Sequence, residues 1–95
     1  MLIQNKKVGT KGMFYIEIDE EILAKMSYSM PSPEKMIIEH TEVDDKLRGQ
    51  NAGYQLVYHA VECARENHIK IIPLCPFTNS VFKKKPEFAD VLYKP

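Results

Sequence analysis

Glu39-His40-Thr41-Glu42-Val43-Asp44-Asp45-Lys46-Leu47-Arg48-Gly49-Gln50-Asn51-Ala52-Gly53 passes from an apolar extended run, Met36-Ile37-Ile38, into a long amphipathic segment. Glu39 to Val43 reads as the end of a strand, Asp44 to Leu47 as a polar turn, and Arg48 to Gly53 as a basic, glycine-containing loop where a helix begins. A helix that starts inside such a loop, with no Ser or Asp set to cap it, leaves its first backbone N–H groups without acceptors. Those groups form one concave patch with the positive end of the helix dipole behind them. The patch is an anion site, and a phosphate or pyrophosphate suits it.

Downstream, residues from about Asn51 to Asn67 can be placed on a wheel at about 100° per residue. Ala52, Gly53, Leu56, Val57, Ala60, Val61, Cys63 and Ala64 fall in one half, while Tyr54, Gln55, Tyr58, His59, Glu62, Arg65 and Glu66 fill the other. An apolar half-cylinder of that width packs on a sheet. Ile69 to Leu74 then reads as a short buried strand which, after a crossover helix, runs parallel to Met36–Val43. Phe77 to Lys85 is helix-compatible, with Phe77, Val81 and Phe82 facing inward. Pro86 stops it, and Phe88, Val91 and Leu92 suggest one more short helical turn.

Upstream, Met1 to Val8 reads as an edge strand and Gly9-Thr10-Lys11-Gly12 as a turn. From Met13 to Asp19, Phe14, Ile16 and Ile18 alternate with Tyr15 and Glu17, the period of a half-buried strand. Asp19-Glu20-Glu21 turns the chain back. Ile22, Ala24, Met26, Tyr28 and Met30 then form a second antiparallel strand, which Pro31-Ser32-Pro33 ends because neither proline can donate to a ladder. Met36 to Val43, apolar on both faces at its start, reads as a central strand covered on each side. The expected fold is α/β, with antiparallel strands leading into a βαβ unit whose parallel strands part at their carboxyl ends. His40 to Val43 and Leu74-Cys75 fall there, where ligands of such folds sit.

A chain of 95 residues makes one domain, spanning 1–95. With 44% hydrophobic and 27% charged residues and no long apolar run, it fits neither a disordered chain nor a membrane span. Lys plus Arg equals Asp plus Glu at 13 each, so no overall field draws nucleic acid. The first residues carry no signal-peptide pattern, and the expected compartment is the cytoplasm. Cys63 and Cys75 lack metal-ligand spacing; free thiols and no metal are expected.

These elements in this order, the strand ending His40-Thr41-Glu42-Val43 and the Arg48 to Gly53 loop resemble the GNAT superfamily of acetyl-CoA-dependent N-acetyltransferases. His40-Thr41-x-Val43, the loop, Cys75-Pro76-Phe77 and Lys85-Pro86-Glu87-Phe88-Ala89-Asp90 are more closely similar to its small YjdJ-type members. The similarity covers nearly all of the chain from Met13. It implies acetyl-CoA (coenzyme A) as substrate, held by Thr41, Glu42, Val43, Arg48, Gly49, Gln50, Asn51, Ala52, Gly53, Tyr54 and Asn79. Within that set, the loop amides would meet the pyrophosphate, Val43 would pair its backbone with the pantetheine, and Asn79 would either bond the pantetheine arm or lie on the surface. Asn51 stands at the family's first loop glycine. The Tyr that serves the superfamily as general acid has no counterpart between Cys75 and Pro86.

His40, by alternation on one strand face with Met36 and Ile38, is either a satisfied core residue or the group that deprotonates an amine near neutral pH; Glu39 and Glu42 compete for that role. Cys75 is either a small buried thiol or an acyl-accepting nucleophile. Cys63 reads as core. Lys83-Lys84-Lys85 reads as a solvated face whose alternative is the 3′-phosphate of coenzyme A. Tyr54 and Tyr58 face solvent, the adenine or a neighbouring subunit, and His59 and His68 face solvent. The implied activity is acetyl transfer to an unidentified amine, with a non-catalytic acyl-CoA binding module and self-acylation through Cys75 as alternatives. The Met30 to Glu34 turn is expected to border an open acceptor groove, which a second copy of the chain could complete.

Overall fold

A computed structural model describes all 95 residues. Its elements are β1 (Gln4–Val8), β2 (Lys11–Ile18), β3 (Glu21–Ser32), β4 (Lys35–Val43), a 3₁₀ turn (Asp45–Leu47), α1 (Ala52–Glu66), β5 (Lys70–Pro73), α2 (Pro76–Lys84) and a 3₁₀ segment (Pro86–Val91). The strands form one sheet in the order β1-β2-β3-β4-β5, antiparallel except for the β4–β5 pair. Asp19 and Glu20 both take left-handed backbone, φ 52° and 67°, so the β2–β3 connection is a two-residue hairpin loop whose twist matches its strands.

Helix α1 buries Ala52, Leu56, Val57, Ala60, Val61 and Ala64. They rest on Phe14, Ile16, Met26, Tyr28, Met36, Ile38 and Ile71 in a single core cluster. The alanines admit the helix close to the sheet, and each fully buried Leu or Val contributes about 1.5–3 kcal/mol. The second helix adds Val81 and Phe82, and the last segment adds Phe88 and Val91. Arg65 of α1 ties that segment down through Nε and Nη2 to the Asp90 carboxylate, at 2.7 and 2.8 Å. Asp90 is thereby held below the usual carboxylate range. No helix is long and apolar enough to cross a membrane.

Four expectations are corrected here. Pairing runs Tyr28↔Ile38 and then Ser27↔His40, so Glu39 is an extra residue, a β-bulge that reverses the alternation beyond it. His40 therefore leaves the face of Met36 and Ile38 and is exposed, on the same side as Lys25, Ser27 and Glu42. That side carries no helix, so β4 is central in the sheet yet covered on one face only. A second bulge in β3 near Leu23 buries Leu23 and Ala24 in succession and leaves Ile22 exposed. Finally, Pro31 does not end β3. Met30 donates to Thr10 on the β2 side, so the Pro31 nitrogen faces β4, where the ladder is irregular between Ser29 and Ser32 and no donor is required.

Candidate functional site

The 3₁₀ turn Asp45–Leu47 is capped by the Asp44 side chain, which accepts from the Lys46 amide at 2.9 Å. Leu47, apolar in a polar run, is buried and pins the turn to the core. Arg48 follows, its Nη2 2.9 Å from the Asp45 carboxylate and its side chain largely exposed. Gly49 and then Asn51 take left-handed backbone, φ 81° and 60°. Asn is among the few side-chain-bearing residues that accept this conformation, so it serves where the family uses glycine.

Asn51 is also the N-cap of α1, and its side chain caps nothing. The backbone N–H groups of Gly49, Asn51, Ala52, Gly53 and Tyr54 find no acceptor in the protein. Gln50 differs from what the sequence suggests: its amide donates to the Leu47 carbonyl at 3.1 Å, so it is not available to a ligand. The loop opens on a cavity of about 370 Å³ lined by Thr41, Val43, Leu47, Arg48, Gly49, Asn51, Ala52, Gly53, Tyr54 and Phe77. Phe77 is exposed instead of inward-facing. Its ring lies over Gly53, where a Cβ would stand 2.9 Å from Cζ, so the glycine is what lets the ring form the cavity rim.

The cavity continues into a gap in the sheet. Ladder pairing between β4 and β5 ends at Ile38↔Pro73, and both Leu74 and Cys75 donate to the Ile38 carbonyl, at 3.1 and 3.0 Å. Beyond that point β4 runs on to Val43 with only β3 beside it. The Asp44 amide donates to Leu23 of β3. Alternation then turns the backbone groups of Val43 and Thr41 to the unpaired side. The strands are splayed, and the free edge of β4 faces the cavity.

Cys75 closes the head of this gap. It is buried, and its Sγ lies 3.4 Å from the Thr41 hydroxyl. Burial pushes the thiol up, but the Thr41 hydroxyl, the Thr78 amide and hydroxyl and the Phe77 amide together draw it below the ordinary thiol value. Cys63, by contrast, is raised by its burial on the back of α1.

On the open face, His40 Nε2 lies 3.2 Å from Glu42 Oε1, and Lys25 Nζ lies 3.5 Å from Glu42 Oε2. The bond from His40 first, and Lys25 second, hold the Glu42 carboxyl below its usual range. A carboxylate only accepts, so Nε2 is the ring nitrogen that donates in this contact. Glu42 is thus turned away from the cavity, while its neighbours Thr41 and Val43 line it. Asn79 is on the exposed side of α2 and does not line the cavity. Tyr54 stacks on Phe88 at 6.4 Å with Lys85 Nζ 5.3 Å above its ring, so it is held by the fold at the cavity edge. His59 is half-buried, with its ring 5.6 Å edge-on from Phe14. The Met30 to Glu34 turn precedes Lys35, about six residues and about 20 Å along β4 from Thr41, too far to border the gap.

A sequence profile of GCN5-related N-acetyl-transferases matches residues 13–91. The chain belongs to that family. A GCN5-like putative N-acetyltransferase from Staphylococcus aureus is 36% identical with a TM-score of 0.73, covering 97% of this chain and 89% of that one. A predicted acetyltransferase from Clostridium acetobutylicum, solved with acetyl-CoA, shares the fold at 20% identity and TM-score 0.61, over 79% of this chain and 56% of that one. A GNAT acetyltransferase from Elizabethkingia anophelis with acetyl-CoA bound does so at 16% and 0.60, over 81% and 53%. This GNAT chain therefore spans about half the length of the two larger relatives. No curated protein sequence matches it.

Sequence reasoning passed over Leu47, Phe77 as a rim residue, and Thr78. Leu47 carried a signal, an isolated apolar residue between Asp44 and Arg48. Thr78 carried none, since a threonine in a short helix reads as surface until packing buries it.

Proposed function

We propose that the chain is an N-acetyltransferase that binds acetyl-CoA in the cavity between the Arg48–Gly53 loop and Phe77 and transfers the acetyl group to an amine entering from the open face of the sheet. The observation that carries this reading is the row of unpaired amides at Gly49, Asn51, Ala52, Gly53 and Tyr54, opening on a cavity continuous with the free edge of β4. The amides and the α1 dipole receive the pyrophosphate, with Arg48 adding charge. The pantetheine runs along β4 and pairs with Thr41 and Val43 as an added strand would, which brings the thioester to the gap at Cys75.

On the other face, His40 is the proton acceptor, oriented by Glu42. A GNAT amine substrate arrives as an ammonium and attacks only after losing a proton, a task matched to a neutral imidazole near pH 7. The open-face groove beside it, about 330 Å³ and lined in part by Ile22, Lys25, Glu42, Val43 and Asp44, offers carboxylates and apolar wall to a cationic amine. Exposed Ile22 and Val43 in its wall suit closure by a second copy of the chain. The Cys75-Pro76-Phe77 turn supports a place among the YjdJ-type members, and the absence of a spanning helix is consistent with a cytoplasmic protein.

Calorimetry with coenzyme A, followed by thiol release from acetyl-CoA in the presence of amines, tests the proposal. Binding together with amine-dependent release, lost in His40→Gln with coenzyme A affinity unchanged, is the expected result. Binding without release for any amine would leave an acyl-CoA binding module, and no binding would overturn the reading altogether.

A further inference from the structure

Lys25 is the one lysine in the wall of the open-face groove. It stands on β3 directly opposite Glu42, and the next pair on that face is Ser27 and His40. A single carboxylate joins the lysine to the proposed base, since Glu42 takes Lys25 Nζ on Oε2 at 3.5 Å and His40 Nε2 on Oε1 at 3.2 Å. The other paired lysines, Lys11 and Lys46, lean on Glu39 and Glu21, which hold no histidine. The Lys25 tie is loose. The two side chains are 48% and 55% exposed, and an ion pair that open is weak and readily broken. Across β2 the neighbour is Tyr15, whose hydroxyl is turned to Gln4, so it does not fix the ammonium either. The stem is free to swing over β4. From β3 to the gap beyond β4 is two strand spacings, about 10 Å, which an extended lysine and the acetyl group of a bound thioester span between them.

We propose that Lys25 is an internal acetyl acceptor: when no amine fills the groove, the chain acetylates its own Lys25 from the acetyl-CoA held beside β4. This rests on the acetyl-CoA reading above. The ammonium gives one proton to His40, and the freed nitrogen attacks the thioester carbon. A carbon–nitrogen bond forms, the bond from carbon to the coenzyme A sulfur breaks, and a second nitrogen proton leaves with that sulfur as the thiol. The products are an amide, coenzyme A and one proton that His40 returns to solvent, so no further reactant enters. Holding amine and thioester in one molecule replaces an encounter in solution, which favours this lysine over exposed lysines elsewhere. The modification also acts on the site. An acetylated Lys25 carries no charge and no longer pairs with Glu42, so the carboxylate keeps His40 alone. The acetamide then stands in the groove where the amine enters. Self-acetylation is thus a brake, and an incoming amine prevents it by occupying the groove first.

The test incubates the protein with acetyl-CoA and no amine, treats it with hydroxylamine to strip thioesters, and maps the remaining acetyl groups by peptide mass. One hydroxylamine-stable increment at Lys25 is expected, with occupancy about tenfold above the exposed Lys6, Lys7 and Lys83 and a rate independent of protein concentration. It should be missing in Lys25→Arg, which keeps its coenzyme A affinity by calorimetry, and form about a hundredfold more slowly in His40→Gln. Added coenzyme A should suppress it by competition, which sets it apart from chemical acetylation in solution. No increment at Lys25, acetyl groups spread evenly over exposed lysines, a rate that rises with protein concentration, or an unchanged rate in His40→Gln would each overturn the internal acceptor. Coenzyme A binding and amine-dependent thiol release would then leave the transferase standing, whereas a wild-type protein that binds no coenzyme A would overturn both.

Discussion

Replacing Gly53 by Asp places a carboxylate among the unpaired amides at the start of α1, where the proposal puts a diphosphate. For the fold the change is close to neutral. The new Cβ would stand 2.9 Å from Phe77 Cζ, a contact that the exposed ring relieves by moving. A negative side chain in the first turn stabilises the helix by about 0.3–1 kcal/mol, and losing a helical glycine adds up to about 1 kcal/mol. For binding the change is severe. Two unit charges about 5 Å apart at an effective dielectric near 40 repel by about 1.7 kcal/mol, and a diphosphate carries two of them while also losing amides to the carboxylate. With the second phosphate farther off and more screened, the net penalty is about 2–3 kcal/mol, roughly 30- to 150-fold in affinity. Calorimetry with coenzyme A alongside thermal unfolding separates the two effects, with Gly53→Ala as the uncharged control. Unchanged affinity in a folded Gly53→Asp protein would refute the reasoning.

Other perturbations test other parts of the structure. Asn51→Val should lower stability by about 1–2 kcal/mol in denaturant unfolding, because a β-branched residue resists the φ of 60° found there, whereas Asn51→Gly should not. Leu56→Ala, at the centre of the α1 face, should cost about 2–5 kcal/mol by the same assay. Asp90, lowered by Arg65, contributes stability that is fully present above the ordinary carboxylate pKa of about 4 and is lost as pH falls through its depressed folded value. The pH–stability curves of wild type and Asp90→Asn should therefore differ near neutrality and converge in acid, and parallel curves throughout would dismiss the pair. Arg48→Ala should weaken coenzyme A binding and flatten its salt dependence, since its side chain is exposed and acts through charge.

The strand order, the crossover helix and the parting of β4 from β5 follow from patterns visible in the chain. The α1 wheel predicts the six residues the helix buries, with Gly53 and Cys63 at the edges of that face only half-buried, and the polar turn into Arg48–Gly53 predicts open amides. What the pattern does not carry is where a ladder gains a residue. Strict alternation puts His40 beside Ile38, and one bulged residue, Glu39, moves it across the sheet to Glu42. Such bulges are set by pairing with Ser27 and Tyr28, which no local window contains. Pro31 shows the same limit, since a proline breaks a strand only where the missing N–H is needed. Phe77 turns outward, against the expectation, and Thr78 is buried, because a helix as short as α2 is oriented by its packing on Gly53 and the strand ends more than by its own periodicity.

An amide-resolved NMR titration with coenzyme A reads the loop donors one at a time. The amides of Gly49, Asn51, Ala52, Gly53 and Tyr54 should shift most, with Thr41 and Val43 next, and Gln50, already bonded to Leu47, should gain no new acceptor. Shifts confined to the open face around His40, with the loop amides unmoved, would contradict the diphosphate site and everything built on it.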